Sequence, residues 1–336
     1  MKVLVTGAPG WLGNRFLEVI AHGFEGEGSA ADWDVRCLIH PKTSATSLQA
    51  LQFPRTTLVE GDVTRPDTLG AAANGVDLVI HLAGIVHPLR VAEWDEVNAY
   101  GTRNLLAAAV AGGARRFVLI SSDAVGGIRA PGSPLMTEAD PPTPHGRYGR
   151  SKVAAEDWMR RVASRIETVV LRPFWFHGPH QPSRQTRFYR MMRSGRPFLF
   201  GDGRNLRSLS STDNVCDALL RAATHPSAAG QTYWIADRRP YTTLEIYETI
   251  AELVGVDRLR PRRLPALVSA MCRLVDVAIQ GARRYVSEIH VAGKMDRDIA
   301  AICDKARREI GYEPRIDLRE GTRRAIAWCE RNGQPV

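Results

Sequence analysis

Thr6-Gly7-Ala8-Pro9-Gly10-Trp11-Leu12-Gly13 follows the apolar, β-branched run of Lys2–Thr6 and opens a segment in which Leu12, Phe16 and Ile20 recur at fourfold spacing. A strand, a glycine-rich turn and a helix therefore follow one another, with the helix expected over 11–21. Gly7 lets the chain leave the strand sharply, Gly10 lets a pyrophosphate approach the backbone, and Gly13 lets the helix pack closely on the sheet. The unpaired N–H groups of the first helical turn then face an anion. Three glycines in eight residues can be a plain loop, but the strand before and the helix after favour a dinucleotide turn. Trp11 and Leu12 lie within that turn and count with the glycines as cofactor-contacting positions.

The same alternation continues outward. Strand candidates are 34–39, 57–60, 77–82, 116–121 and 167–171, mostly unbroken Val/Ile/Leu runs of the kind covered on both faces. Alanine-rich helical stretches separate them, among them 98–111. Strand–helix–strand repetition implies right-handed crossovers and an α/β fold, a Rossmann-type doubly wound parallel sheet. A dinucleotide domain over 1–172 and a smaller C-terminal α/β substrate domain over 173–336 are expected, with some later segments returning to the sheet. In the second part Leu264, Leu267, Val268, Met271, Leu274, Val275 and Ala278 keep helical spacing. Core or subunit interface is the plain reading of that stripe; a lid over an apolar substrate or a membrane-surface contact are the others.

Composition narrows the class. The 336 residues carry a net charge of +9, suited to an anionic cofactor, while the arginines are scattered without the interleaved aromatics of a single-strand-binding groove. Nucleic acid is therefore not an expected partner. No stretch reaches the ~20 apolar residues of a membrane span, and the first strand is too short for a signal peptide's apolar region. Cys37, Cys216, Cys272, Cys303 and Cys329 are dispersed and never paired as CxxC, which argues for reduced thiols, a cytoplasmic protein, and no metal site.

The second strand ends His40-Pro41-Lys42, with Arg36 just before. An enzyme selective for NAD usually places a carboxylate there for the adenosine ribose. His40, Lys42 and Arg36 would instead tolerate or attract a 2′-phosphate, favouring NADP(H); NAD(H) held by other contacts stays open. Asp62 and Val63 follow the third strand, where a carboxylate can accept from the adenine amino group. Leu82, Ala83 and Gly84 end the fourth, where small residues let a cofactor lie against backbone.

Tyr148-Gly149-Arg150-Ser151-Lys152 places a phenol and an ammonium on one helix face. A neighbouring ammonium stabilises tyrosinate, as would an oxidised nicotinamide. Upstream, Ser122 lies at the C-terminal end of a strand, where doubly wound sheets bind ligands, and can donate to a substrate oxygen while Tyr148 moves its proton.

Taken together, TGAPGWLG, GDV, HLAG, VNAYGT, the Ser-Ser strand end, YGRSK, LRP, RSLSSTDNV and KARREIGYEP follow one another over essentially the whole chain. In this the chain resembles the extended short-chain dehydrogenases/reductases of the epimerase/dehydratase superfamily. The resemblance implies a catalytic trio at Ser122, Tyr148 and Lys152, an ordering role for Asn98 (a bare helix N-cap being its plain reading), a cofactor contact at Pro173, and often a homodimer.

Departures from the pattern bear on the reaction. Trp175 stands where nucleotide-sugar members commonly have asparagine, and Phe174, Trp175 and Phe176 suggest an apolar wall, although core packing explains them equally well. Arg207 conversely stands where those enzymes keep a phosphate-binding arginine. Asp123 occupies the general-acid position of the sugar dehydratases, but Ala124 replaces the glutamate that follows it, which removes half the proton-transfer pair. His87, His177 and His180 are histidines that can lie near the pocket. Reversible hydride transfer to or from a small-molecule secondary alcohol or ketone, lipid-like or a nucleotide-sugar, is the expected chemistry. A nucleotide-sugar epimerase, a dehydratase and a non-enzymatic cofactor sensor are the alternatives.

Overall fold

Alternate residues of each sheet strand point to opposite faces, and in the computed structural model both faces of the sheet are dry. The structure describes every residue except Glu27 and Ser29. From the first strand, Val3 and Val5 enter one hydrophobic cluster and Leu4 the other; from the second, Cys37 and Leu38 divide in the same way. The strands are β1 (Lys2–Thr6), β2 (Asp34–Ile39), β3 (Thr56–Glu60), β4 (Leu78–His81), β5 (Arg116–Ile120), β6 (Glu167–Pro173) and β7 (Thr232–Ile235). They form one sheet in the order β7-β6-β5-β4-β1-β2-β3, and every pairing is parallel. The order reverses between β1 and β4, and at that switch point the carboxyl ends of the strands open a crevice for a ligand.

Helices α1 (Trp11–His22) and α4 (Thr212–Thr224) cover one face through Phe16, Val19, Val215 and Leu219. Helices α2 (Thr102–Ala111) and α3 (Gly146–Val162) cover the other through Leu105, Leu106, Ala155 and Met159. A third cluster, with Tyr189, Leu199, Ile246, Tyr247, Leu318 and Cys329 among its members, is built entirely from later residues.

Strand β7 is a later segment that returns to the sheet; no pattern marks it in advance, because Thr232–Ile235 is only four residues long and far in sequence from its partner β6. The structure differs from the sequence reading in two places. The helix expected from Asn98 begins earlier, as a wide π-type segment over Trp94–Gly101 that runs into α2. The stripe at 264–278 does form a helix, α5 (Ala266–Gly281), but Ser269, Asp276 and Gln280 are its buried residues while Leu267, Met271 and Leu274 are exposed. The core reading of that stripe is thus corrected.

Candidate active site

The glycine turn is built as a cradle. Gly7 takes a left-handed φ of 95°, and a Cβ there would lie 2.6 Å from the Leu82 carbonyl carbon and 2.7 Å from the Ala83 nitrogen. A Cβ on Gly10 or Gly13 would lie 2.5 or 2.4 Å from the Gly7 carbonyl oxygen. Gly10, just ahead of helix α1, has no side chain to cap it and the first turn holds no acidic residue, so its leading N–H groups are available to an anion. These features fit a dinucleotide pyrophosphate. Leu12 is buried in the core and can offer only backbone. Trp11 donates from its indole to the Pro179 carbonyl (2.7 Å), tying the turn to the later half of the chain.

At the far end of the crevice His40 and Asp62 stand together, Nε2 to carboxylate 3.4 Å. Burial alone would raise the Asp62 carboxyl, but Thr64 donates from backbone and hydroxyl, and with His40 holds it below the usual range. Lys42 is exposed. Arg36, read from the sequence as a phosphate partner, instead donates to the carbonyls of Ala71, Ala72 and Asn74. Val63 is a buried packing residue whose carbonyl accepts from Asn104. Pro173 ends β6, buried beside Ile235 of β7.

Between the strand ends and α3 the predicted trio comes together. Tyr148 is hydrogen-bonded to Ser122, which is 7% exposed. The Ser122 hydroxyl also donates to Asp123 (2.8 Å) and accepts from the Ala124 N–H (3.2 Å). Burial pushes the Tyr148 phenol well above its ordinary value and the Asp123 charge adds to this, with Ser122 opposing. The phenol is therefore an acid at neutral pH. Burial lowers the Lys152 ammonium to about 8 against the attraction of Glu156. Lys152 donates to the Ile120 carbonyl (3.1 Å). A Cβ on Gly84 would meet both Lys152 Nζ and Asn98 Oδ1 at 3.2 Å, so glycine keeps that approach open.

Asn98 is no N-cap. It sits inside the π-type segment, accepts from the Ile85 N–H (2.8 Å), and donates to the Ile85 carbonyl and to Ser151 Oγ. Ser151 in turn donates to the Tyr148 carbonyl (2.8 Å), so Asn98 links the loop after β4 to the Tyr148 turn. Behind the trio Glu156 accepts from Ser121 (2.5 Å) and takes both arms of Arg172 (2.9 and 2.6 Å).

Around the trio, Trp94, Tyr285 and Lys294, which no sequence pattern singles out, join the candidates His87 and Arg207. The Trp94 ring is 6.4 Å from the Tyr148 ring and 4.9 Å from that of Tyr285, whose hydroxyl pairs with His87 (2.9 Å). Lys294, its ammonium lowered by burial, feels Asp123 and Arg207. Arg207 is buried, bonds the Lys294 carbonyl through Nη2 (2.6 Å), and leaves Nε unpaired. His145, Asp276 and His290 place one potential ligand atom each within 4.8 Å of one another. His290 Nδ1 is already bonded to Asp276, and Lys294 and Arg273 add positive charge there, which disfavours a cation.

Other candidates disperse. Phe174 packs on Trp234, Trp175 on Phe188, and Phe176 on Trp11, so the three aromatics form no common wall. The Trp175 indole donates to Gln185 (3.2 Å). His177 is buried against Asp237 (2.7 Å) and His180 pairs with Glu18, leaving His87 the histidine of those three beside the trio.

Residues 3–236 match the model of the NAD dependent epimerase/dehydratase family. The protein y4nL of Sinorhizobium fredii, itself uncharacterized, is 39% identical across 99% of this chain and 96% of its own length. A Stigmatella aurantiaca ketoreductase acting on 4-hydroxy-2-methyl-3-oxo-4-farnesyl-3,4-dihydroquinoline-1-oxide is 28% identical over 96% and 94%. The solved structure of a UDP-glucuronic acid 4-epimerase from Bacillus cereus, in complex with NAD, shares the fold with a TM-score of 0.76 at 22% identity, covering 99% of both chains. The chain belongs to the NAD dependent epimerase/dehydratase family, and is an enzyme of that class with a nicotinamide dinucleotide as cofactor.

Proposed function

We propose that this member of the family reduces a ketone to a secondary alcohol, reversibly, with Tyr148 as the proton donor. One observation carries this reading: Tyr148 stands against the Ser122 hydroxyl at the strand end, with Lys152 one turn along α3, and burial keeps its phenol in the acid form. An acid is what a carbonyl oxygen requires as it becomes an alkoxide. When bound, the nicotinamide supplies or takes up the hydride. Tyr148 gives its hydroxyl proton to the nascent alkoxide, and Ser122, turning its one hydroxyl proton away from Asp123, donates to the same oxygen. Lys152, one turn along α3 from Tyr148, supplies positive charge that steadies the phenolate left behind. Asn98 holds the Tyr148 turn through Ser151. Ala124 offers no second acid or base, so elimination of water lacks a partner for Asp123.

His40 and Lys42, where a carboxylate would select NAD(H), support NADP(H) as the cofactor. We place the enzyme in the cytoplasm as a homodimer; Arg103, stacked between the rings of Tyr100 and Trp158, marks a candidate face on α2 and α3.

A second reading, a nucleotide-sugar epimerase, is favoured by buried Arg207 with its unpaired Nε and by Lys294 beside it. Incubation with NADPH and a panel of apolar ketones and nucleotide-sugars separates the two. Stoichiometric loss of reduced-cofactor absorbance with a ketone is expected. Interconversion of sugar isomers without net cofactor consumption overturns the reductase.

A further inference from the structure

The geometry of α5 points to a lipid-docking surface: we propose that this helix seats the enzyme on an anionic membrane, lying flat with its apolar face in the interface. The helix is packed inside out for a protein in water. Its inward stripe is polar. Ser269 donates to the Ala292 carbonyl and to Asp296, and Arg273 bonds Asp296 and the Gly293 carbonyl. Asp276 takes His290 (2.8 Å) and Gln280, and Gln280 accepts the Arg147 N–H at the start of α3. Position for position these are i, i+4, i+7 and i+11, one face of a helix.

The opposite face carries Leu267, Met271, Leu274 and Val277, which are 68, 57, 74 and 69% exposed. Val275 is 46% exposed, and Phe198 (47%) lies on the short strand Phe198–Phe200 that pairs with Arg262–Leu264 just ahead of the helix. Both charged side chains of α5, Arg273 and Asp276, are committed inward, so no charge interrupts the outer face.

What covers this face is indicated by its ends. Arg262 and Arg263 precede the helix, Arg283 and Arg284 follow it, and all four are exposed. None of them is in an ion pair among the described residues: Arg262 stacks on Phe198, and Arg263 donates to the Asp202 carbonyl. An apolar stripe with unpaired arginines at both ends matches an interfacial helix on anionic lipid. A second copy fits poorly. The 16 residues of α5 span about 24 Å, and a strip about 10 Å wide covers ~240 Å², against ~800 Å² per partner in a stable interface. Face-to-face pairing would also bring the four unpaired cations of one copy toward those of the other.

Vesicle co-sedimentation with the intact protein tests this, comparing pure phosphatidylcholine with vesicles containing a third phosphatidylglycerol. Binding to the anionic vesicles is expected, weakening with salt. Leu274→Glu with Val277→Glu should reduce the bound fraction at least ~tenfold, and Arg283→Gln with Arg284→Gln about tenfold or more. Because all four positions are exposed, the variants should keep the wild-type circular dichroism and reductase rate on a water-soluble ketone. No binding to either vesicle overturns the proposal. So does equal binding by the glutamate variant, or a dimer that dissociates when Leu274 and Val277 are changed.

Discussion

Removing the Tyr148 hydroxyl would leave its ring beside Trp94 and touch nothing in the glycine cradle. Tyr148→Phe should therefore keep its cofactor affinity, read by fluorescence titration, while turnover falls by about 10²–10⁴-fold. Near-normal turnover would remove Tyr148 from proton transfer. Lys152 sets a pH limit. Its ammonium, lowered to about 8, is charged below that value and is lost as pH rises through it. Ketone reduction should decline along an alkaline limb centred near pH 8. Lys152→Arg, which stays charged, should move that limb upward even if its rate is lower; a limb unchanged in position would assign it to another group. At the other end of the crevice, His40→Asp should shift the kcat/KM ratio from NADPH toward NADH by at least ~tenfold, since a carboxylate repels a 2′-phosphate. An unmoved ratio, with His40→Asn as the uncharged control, would take the 2′-phosphate away from this position. Ser122, Tyr148 and Lys152 were legible because strand-end position and helical spacing are local. Trp94, Tyr285 and Lys294 were not, because distant segments bring the first two to Tyr148 and the third toward Asp123, and no local pattern marks them.

The strand–turn–helix over β1 and α1 is the element the sequence shows most fully, since each glycine answers to one close approach. Gly13→Ala makes that quantitative. The added carbon would lie 2.4 Å from the Gly7 carbonyl oxygen and 2.8 Å from the Ala8 nitrogen, both backbone atoms that cannot rotate away. Overpacking of this kind costs about 1–3 kcal/mol, and relief by pushing α1 off the sheet would spoil the phosphate cradle. A lower thermal midpoint together with at least tenfold weaker dinucleotide binding is expected, by calorimetry. Gly70→Ala, where an added carbon meets nothing within 4 Å, should change neither. Equal behaviour of the two variants would deny the cradle its tight fit. Periodicity found α5 as well, yet gave its stripe the wrong side as core. A hydrophobic pattern fixes which residues share a face but not which way the face turns. Here Asp296 and His290, from later in the chain, turn it outward by offering partners to the polar side.

Across the whole molecule, the two halves of the chain are joined by charges that no single motif explains. Asp213, 3% exposed at the start of α4, accepts from Arg15 of α1 (2.5 Å) and from Arg324 of the helix Leu318–Arg331 (2.8 Å). Arg15 also reaches Glu18, which pairs with His180. Residues within the quoted RSLSSTDNV stretch were visible in the sequence, but their partners lie about two hundred residues upstream and one hundred downstream, beyond any local pattern. A buried carboxylate serving two guanidinium groups is costly to remove alone, because Arg15 would keep its charge in a place with little water and with only the half-exposed Glu18 to pair it. Asp213→Ala should thus lower the unfolding free energy by about 3–5 kcal/mol in urea titrations. Adding Arg15→Met, which removes the stranded charge and keeps an apolar stem, should recover part of that loss. If the double variant is as unstable as the sum of the two single ones, the carboxylate is not what holds α1, α4 and the last helix together. The packing of Phe16, Val19, Val215 and Leu219 would then carry the junction.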